Sequence, residues 1–175
     1  MSFVLEINEQ DEIIGSQEKL YAHQYGILHR AFSIFIFNNK GELLLQQRAN
    51  GKYHSGGLWT NTCCSHPTGT DNKTDAHNRL IEEMGFDCNL YFIDKFRYTA
   101  SLNNGLIENE LDYIYSGIYD GPVHFNRNEV QAIRYISLTD LKKELMQQTG
   151  NYTSWLKLIL EDDKISKVLA ATSYD

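Results

Sequence analysis

The chain has no run of basic residues, no long apolar run and almost no proline, and each absence removes a class of protein. Formal net charge is −7, and no run of Lys or Arg is longer than the pair Lys142-Lys143. The electrostatic footprint of a nucleic-acid binder is therefore missing, and no nucleic-acid partner is expected. Any anion it takes must be gripped by a few local cations. No apolar stretch approaches the roughly 18 residues of a membrane helix. The N-terminal segment carries Glu6, Glu9, Asp11 and Glu12 without a basic flank, so neither a signal peptide nor a membrane partner is expected. The cysteines, Cys63, Cys64 and Cys88, are odd in number and two are adjacent, where a bridge is strained. No disulfide framework is expected, and a reducing cytoplasm fits best. Prolines occur only at Pro67 and Pro122, and no repeat, low-complexity tract or linker interrupts the 175 residues. Residues 1–175 therefore read as one domain, long enough to bury a core.

What is present has mixed periodicity. Phe3 to Ile7 alternates apolar with polar residues and leads through an acidic turn to Ile13-Ile14, the pattern of a hairpin. Ala31 to Phe37 and Leu43 to Arg48 flank Asn38-Asn39-Lys40-Gly41, which predicts two strands around a turn. From Asp71 to Met84 the apolar spacing is helical, with Ala76, Leu80 and Met84 in one row and Gly85 as a left-handed cap. Strands are predicted around Leu90 to Ala100 and Leu111 to Tyr119. A helix follows from Ser137 to about Gln148, and a last amphipathic helix runs from Trp155 toward Ala171. Lys19 to His29 reads as a connection able to order around a ligand. Strands with interspersed helices mean a mixed α/β or α+β fold.

Two clusters carry chemistry. One is Trp59-Thr60-Asn61-Thr62-Cys63-Cys64-Ser65-His66-Pro67, the other Glu108-Asn109-Glu110. On extended backbone, residues two apart share a side, so Cys64 pairs with His66 and Glu108 with Glu110. A thiol, an imidazole and paired carboxylates suit metal-assisted chemistry or proton transfer.

These clusters, together with Leu28-His29-Arg30-Ala31-Phe32-Ser33, Leu44-Leu45-Gln46-Gln47-Arg48 and Phe96-Arg97-Tyr98, occur in order over nearly the whole chain. Together they resemble type I isopentenyl-diphosphate isomerase. The resemblance implies a Nudix-like α/β/α sandwich with a central mixed sheet. It also implies interconversion of isopentenyl and dimethylallyl diphosphate, small prenyl diphosphates, by an allylic 1,3 proton shift. It assigns Cys64 to the C2 side, Glu110 with Tyr98 to the C4 side, and Trp155 to stabilising a cationic intermediate. His23, His29, His66, Glu108 and Glu110 match a divalent-cation site that Mn²⁺, Zn²⁺ or Mg²⁺ would suit. A second ion, Mg²⁺, would join the substrate diphosphate to Glu83 and the Cys64 carbonyl. Lys19, Arg48, Lys52 and Arg79 match positions that reach phosphate. His54, His77 and His124 have no partner in the pattern and read as ordinary histidines. Glu82 and Glu83 look like remnants of a Nudix helix, but Asn78-Arg79 stands where a full Nudix box has Arg-Glu. The alternatives are a Nudix-type diphosphate hydrolase and a catalytically silent binding module. The sequence does not report an oligomeric state, and a monomer is compatible with it.

Overall fold

The computed structural model describes residues 2–69 and 71–172. Strand β1 (Phe3–Ile7) pairs antiparallel with β2 (Ile13–Glu18), the expected hairpin. A short helix, α1 (Lys19–Tyr25), follows, then β3 (His29–Phe37) and β4 (Glu42–Arg48). The segment read as a connection from Lys19 to His29 is thus mostly helical. The Glu18 carboxylate accepts from the Tyr21 N–H at 2.9 Å at one end, and Gly26 at φ 61° closes the other. It escapes periodicity because only Ala22 and His23 are buried, while Leu20, Tyr21 and Tyr25 face solvent.

The turn between β3 and β4 forms, but the hairpin does not continue. Phe37 and Leu43 are the one paired position, after which the strands separate. The gap is filled by β5 (Trp59–Thr60), which pairs with β4, and β6 (Cys63–Ser65), which pairs with β3. Side chains close it: Thr62 Oγ1 donates to the Leu44 carbonyl at 2.6 Å and accepts from the Ile36 N–H at 2.9 Å. Helix α2 (Asn72–Met84) comes next, capped by Asp71 and by Gly85 at φ 75°. The antiparallel pair β7 (Tyr91–Ser101) and β8 (Ile107–Ile118) follows, and β8 runs parallel to β3. Strand β9 (Val130–Ser137), not anticipated, pairs with β4 and leads into α3 (Leu138–Gln147).

The last predicted helix is two. Asp162 ends α4 (Ser154–Glu161), and its carboxylate accepts from the Ile165 N–H at 2.9 Å to start α5 (Asp163–Thr172). No helix among the described residues is long and apolar enough to cross a membrane.

Strand alternation sorts the core into two layers, giving the expected α/β/α sandwich around a mixed sheet. Phe32, Ile34, Ile36 and Leu44 pack with Ala76, Leu80 and Met84 of α2. On the other face Phe35, Phe37, Leu43 and Leu45 pack with Leu156, Ile159 and Ile165 of α4 and α5. Each fully buried side chain of this size contributes about 1.5–3 kcal/mol.

Gly85 offers a sharp test of this packing. A Cβ there would sit 2.2 Å from the His124 carbonyl oxygen, at a φ that other residues adopt reluctantly. Gly85→Ala should lose more than the roughly 1–3 kcal/mol of the backbone strain alone, read as a lower urea midpoint.

Candidate active site

The Trp59 to Pro67 stretch is held rigidly because it bridges the splayed strands. Asn61 donates to the Ile34 carbonyl at 3.2 Å and the Cys63 carbonyl at 2.8 Å, while its Oδ1 accepts from Thr60 and from the Trp155 indole N–H at 3.2 Å. Thr153 donates to Thr60 at 2.9 Å, tying the start of α4 to the same segment. Alternation along β6 then separates the two cysteines. Cys63 packs in the α2 layer, with its sulfur 3.5 Å from Glu83 Oε2, and Cys64 faces the other side beside α4. There it lines a cavity of about 210 Å³.

Across that cavity stands β8. Glu108, Glu110 and Asp112 are alternate residues of one strand, all buried. Glu110 Oε1 lies 2.9 Å from His66 Nε2, 3.2 Å from His29 Nε2 and 3.8 Å from His23 Nε2. The elements that converge here are α1, the start of β3, the residue after β6, and β8. His23 Nδ1 is 2.7 Å from the Lys19 carbonyl, and His29 Nδ1 is 2.7 Å from the Ile27 carbonyl. A carbonyl only accepts, so both Nδ1 atoms carry the proton and both Nε2 atoms present lone pairs inward.

The electrostatics ask for a positive charge at the point where these atoms meet. Burial raises a carboxyl. At Glu110 the facing His29 and His66 rings outweigh that and hold it well below the usual range. At Glu108 burial and the Glu110 charge push together, well upward. Glu110 is therefore the ionised member, held by the His29 and His66 rings that face it. Ring protonation would supply the charge, but burial, reinforced by Lys19, pushes His66 down to about 3, and burial also lowers His23. The His23 Nε2 atom is buried with no partner. The four groups His23, His29, His66 and Glu110 place one ligand atom each within 4.8 Å of one another, a donor set that fits a divalent cation.

Tyr98 lies between the carboxyls. Its hydroxyl is 2.6 Å from Glu110 Oε2 and 3.2 Å from Glu108 Oε2. Burial and the two carboxylates push its pKa well up, so it keeps its proton and donates over the shorter distance to Glu110. Cys64 is pushed up to about 12 by burial, against the pull of Arg48, with Glu83, Asp112 and Glu108 pushing further up. The partly ionised thiol that base chemistry would want is thus not the resting form. The sulfur keeps its proton until positive charge arrives. Arg48 Nη1 is 3.9 Å away, the nearest contribution of that kind.

The predicted anion clamp also lines the cavity. Arg48 lies over the Trp155 ring, 5.2 Å from its centroid, and Lys19 stands over Tyr53 at the same distance. Lys52 and Arg79 are both tied to Glu129, the latter at 2.8 Å; Arg79 also pairs with Glu83 at 2.7 Å and Glu82 at 2.8 Å. Glu83 is buried and its second oxygen accepts from Gln46 at 2.8 Å, so a diphosphate-bound ion would share this carboxylate. Trp155 belongs to the core by its surroundings, and only part of its ring meets the cavity.

Every residue picked from the sequence therefore falls in or beside this cavity. His77 pairs with Asp87 at 2.7 Å, outside the cavity, and His124 is exposed, as read. His54 was misread. It is buried in the cavity wall, stacked on His23 with ring centroids 5.7 Å apart. Burial and the nearby Arg48 push it down to about 3. Tyr53, Glu129 and Asp112 were also missed. Asp112 continues the alternation of Glu108 and Glu110 and was legible on that ground, whereas Tyr53 and His54 sit in a loop with no period. That loop is shaped by Gly56 and Gly57, where a Cβ would come within 2.7 Å of the Asn50 carbonyl oxygen and 2.9 Å of the Asn50 side chain.

Residues 27–156 match the NUDIX domain family model. An isopentenyl-diphosphate Delta-isomerase 2 of Photorhabdus laumondii is 48% identical over 155 residues, covering 88% of each chain. The isopentenyl-diphosphate Delta-isomerase of Pectobacterium atrosepticum is 45% identical, covering 89% of this chain and 87% of that protein. Among solved structures, a Deinococcus radiodurans protein superposes with a TM-score of 0.74 at 14% identity, covering 90% of this chain and 96% of that one. A MutT protein of Methanosarcina mazei gives 0.61 at 17% identity, covering 77% and 91%. These two likenesses concern the fold alone. The identity to the curated relatives, over almost their full length, decides the matter more narrowly: the chain belongs to the isopentenyl-diphosphate Delta-isomerase family, built on a NUDIX domain.

Proposed function

We propose that this chain is a single-domain enzyme that interconverts isopentenyl and dimethylallyl diphosphate, with Cys64 and the Glu110–Tyr98 pair exchanging protons on opposite sides of the substrate. The observation that carries this reading is the placement of a thiol on β6 facing a carboxyl–phenol pair on β8 and β7 across one small cavity. An unactivated double bond is a poor base, so it needs an acid at one carbon and a base at the other, held without intervening water. In the isopentenyl to dimethylallyl direction, the Glu110–Tyr98 side delivers a proton to C4 and Cys64, as the thiolate left once the cationic charge bound with the diphosphate has displaced its proton to solvent, takes one from C2. In reverse the roles exchange. Tyr98, whose hydroxyl lies 2.6 Å from Glu110 and 3.2 Å from Glu108, links the two carboxyls, so a proton can pass along this group to the Glu110 side.

His23, His29, His66, Glu108 and Glu110 would hold a divalent cation, Mn²⁺, Zn²⁺ or Mg²⁺. When bound it supplies a Lewis acid beside the Glu110 carboxyl. Mg²⁺ with the substrate diphosphate would meet Glu83 and the Cys64 carbonyl. Lys19, Arg48, Lys52 and Arg79 take the phosphate oxygens, which requires Lys52 and Arg79 to loosen from Glu129. Trp155 offers an indole face to the tertiary carbocation, worth about 2 kcal/mol when desolvated. Cytoplasmic location belongs to the same reading, supported by three cysteines that are all free.

A Nudix-type hydrolase is less well supported. Glu82 is largely exposed, ion-paired to Arg79 and outside the cavity lining, so α2 turns Glu83 toward the cavity without a second carboxylate beside it. The two readings separate on products. Isopentenyl diphosphate with Mg²⁺ should become an acid-labile allylic diphosphate with no phosphate released; phosphate release without isomer would favour hydrolysis. Arg48→Met should raise KM by on the order of 10–100-fold in steady-state assays, the loss of a charge-assisted contact of roughly 1.5–3 kcal/mol.

A further inference from the structure

His54 is the one imidazole in the cavity wall that the assignments above leave without a role, and its surroundings are unlike those of a core histidine. We propose that His54 is a further ligand of the divalent cation, a fourth imidazole beside His23, His29 and His66. This rests on the metal centre proposed above and extends it with a residue outside the set that the sequence indicated.

A histidine that merely fills space is enclosed by apolar side chains and satisfied by a hydrogen bond. His54 instead lies against His23, the two rings stacked at an interplanar angle of 28°, and a ring nitrogen of His54, one of His23 and an oxygen of Glu108 all fall within 4.8 Å of one another. His23 also belongs to the group with His29, His66 and Glu110. Its Nδ1 is committed to the Lys19 carbonyl, leaving the buried, partnerless Nε2 as its only inward donor. One lone pair serves one ion, so the two groups converge on the same cation. Within the His23, His54 and Glu108 group the spacing is close to the roughly 4.2 Å that separates opposite donors on an octahedral ion with bonds of about 2.1 Å, and His23 is the ligand through which this group joins His29, His66 and Glu110.

The ring is also held in place as ligands usually are. His54 Nδ1 is 3.2 Å from Ser55 Oγ, its carbonyl accepts from Arg48 Nη2 at 3.3 Å, and Tyr53 and Trp155 meet it edge-on, with centroids 4.3 and 6.0 Å away. With Nδ1 turned to Ser55, Nε2 is the atom left for a metal. Four nitrogens and two carboxylates shift the preference of the centre away from Mg²⁺ and toward ions that favour imidazole, such as Zn²⁺ or Co²⁺.

The test is a Co²⁺ titration of chelator-stripped protein, followed by the d–d absorption of the bound ion, for wild type, His54→Ala, His54→Gln and His66→Ala. Both His54 variants should keep the wild-type near-UV circular dichroism, bind Co²⁺ about 10–100-fold more weakly, and show an altered d–d spectrum. His54→Gln preserves volume and a polar head, so it carries the test should His54→Ala fail to fold. Wild-type affinity and an unchanged spectrum in the folded His54 variants, with His66→Ala impaired, would overturn this inference and leave the centre standing. Absence of any d–d band in wild type would remove the centre, and this ligand with it.

Discussion

Cys64→Ala should lower isomerase turnover by roughly 10²–10⁴-fold, the span that a lost general acid–base group costs, while the protein stays folded. The methyl group of alanine occupies part of the thiol volume, and the polar contact it gives up is the one with the Arg48 guanidinium, at 3.9 Å. The effect should appear in kcat, with KM little changed, because the thiol meets the reacting carbon and not the diphosphate. Cys63→Ala provides the contrast. That side chain is buried on the α2 side of the sheet, so most of the turnover should survive. Equal loss in the two variants would mean that the β6 segment is fragile and that the separation of the two cysteines has no catalytic meaning.

Glu110→Gln should be at least as damaging, for two separable reasons. The amide cannot carry the proton on the C4 side, again a loss of roughly 10²–10⁴-fold. It also removes the one ionised oxygen at the meeting point of His23, His29 and His66, so divalent-cation affinity should fall as well. Metal content after dialysis, measured with turnover, distinguishes the two. If cation affinity falls and excess metal restores little activity, both roles hold. If excess metal restores full turnover, Glu110 acts as a ligand alone. Size is nearly conserved, so the fold should persist: β8 is pinned on one side by β3 and on the other by β7.

The sequence was most informative where a local rule and a chemical cluster coincided. Gly85 and the row Ala76, Leu80, Met84 delimit α2 to within a residue, since cap and period agree. The alternation Glu108, Glu110 places both carboxylates on one face because β8 is regular there. The missed elements are those whose form is decided by distant contacts. α1 has a narrow buried side and depends on Glu18 and Gly26 for its ends. The separation of β3 from β4 cannot be read from either strand. It follows from the Trp59 to Ser65 segment inserting between them, with Thr62 and Asn61 satisfying backbone groups that a hairpin would have paired. The same holds at the site. His23 and His66 lie 43 positions apart, and only the fold brings them together. His54 shows the opposite limit, since a loop residue carries no periodic signal and its stacking on His23 exists only in three dimensions.

One structural result alters the chemistry expected from the residues alone. Burial leaves the Cys64 thiol protonated, so the resting cavity holds protons on both sides, at sulfur and within the Glu108–Tyr98–Glu110 group. That state is ready to protonate an alkene. Deprotonation by Cys64 needs cationic charge close to the sulfur, which Arg48 supplies in part and a diphosphate-bound Mg²⁺ would supply further.

Proton exchange at two carbons by residues on opposite walls is read directly by proton NMR in D₂O. Isopentenyl diphosphate incubated with the protein and Mg²⁺ should yield dimethylallyl diphosphate carrying deuterium in the new methyl group, formed roughly 10²–10⁴-fold more slowly by Cys64→Ala. Conversion that is undiminished in Cys64→Ala, or product formed without deuterium from solvent, would contradict it.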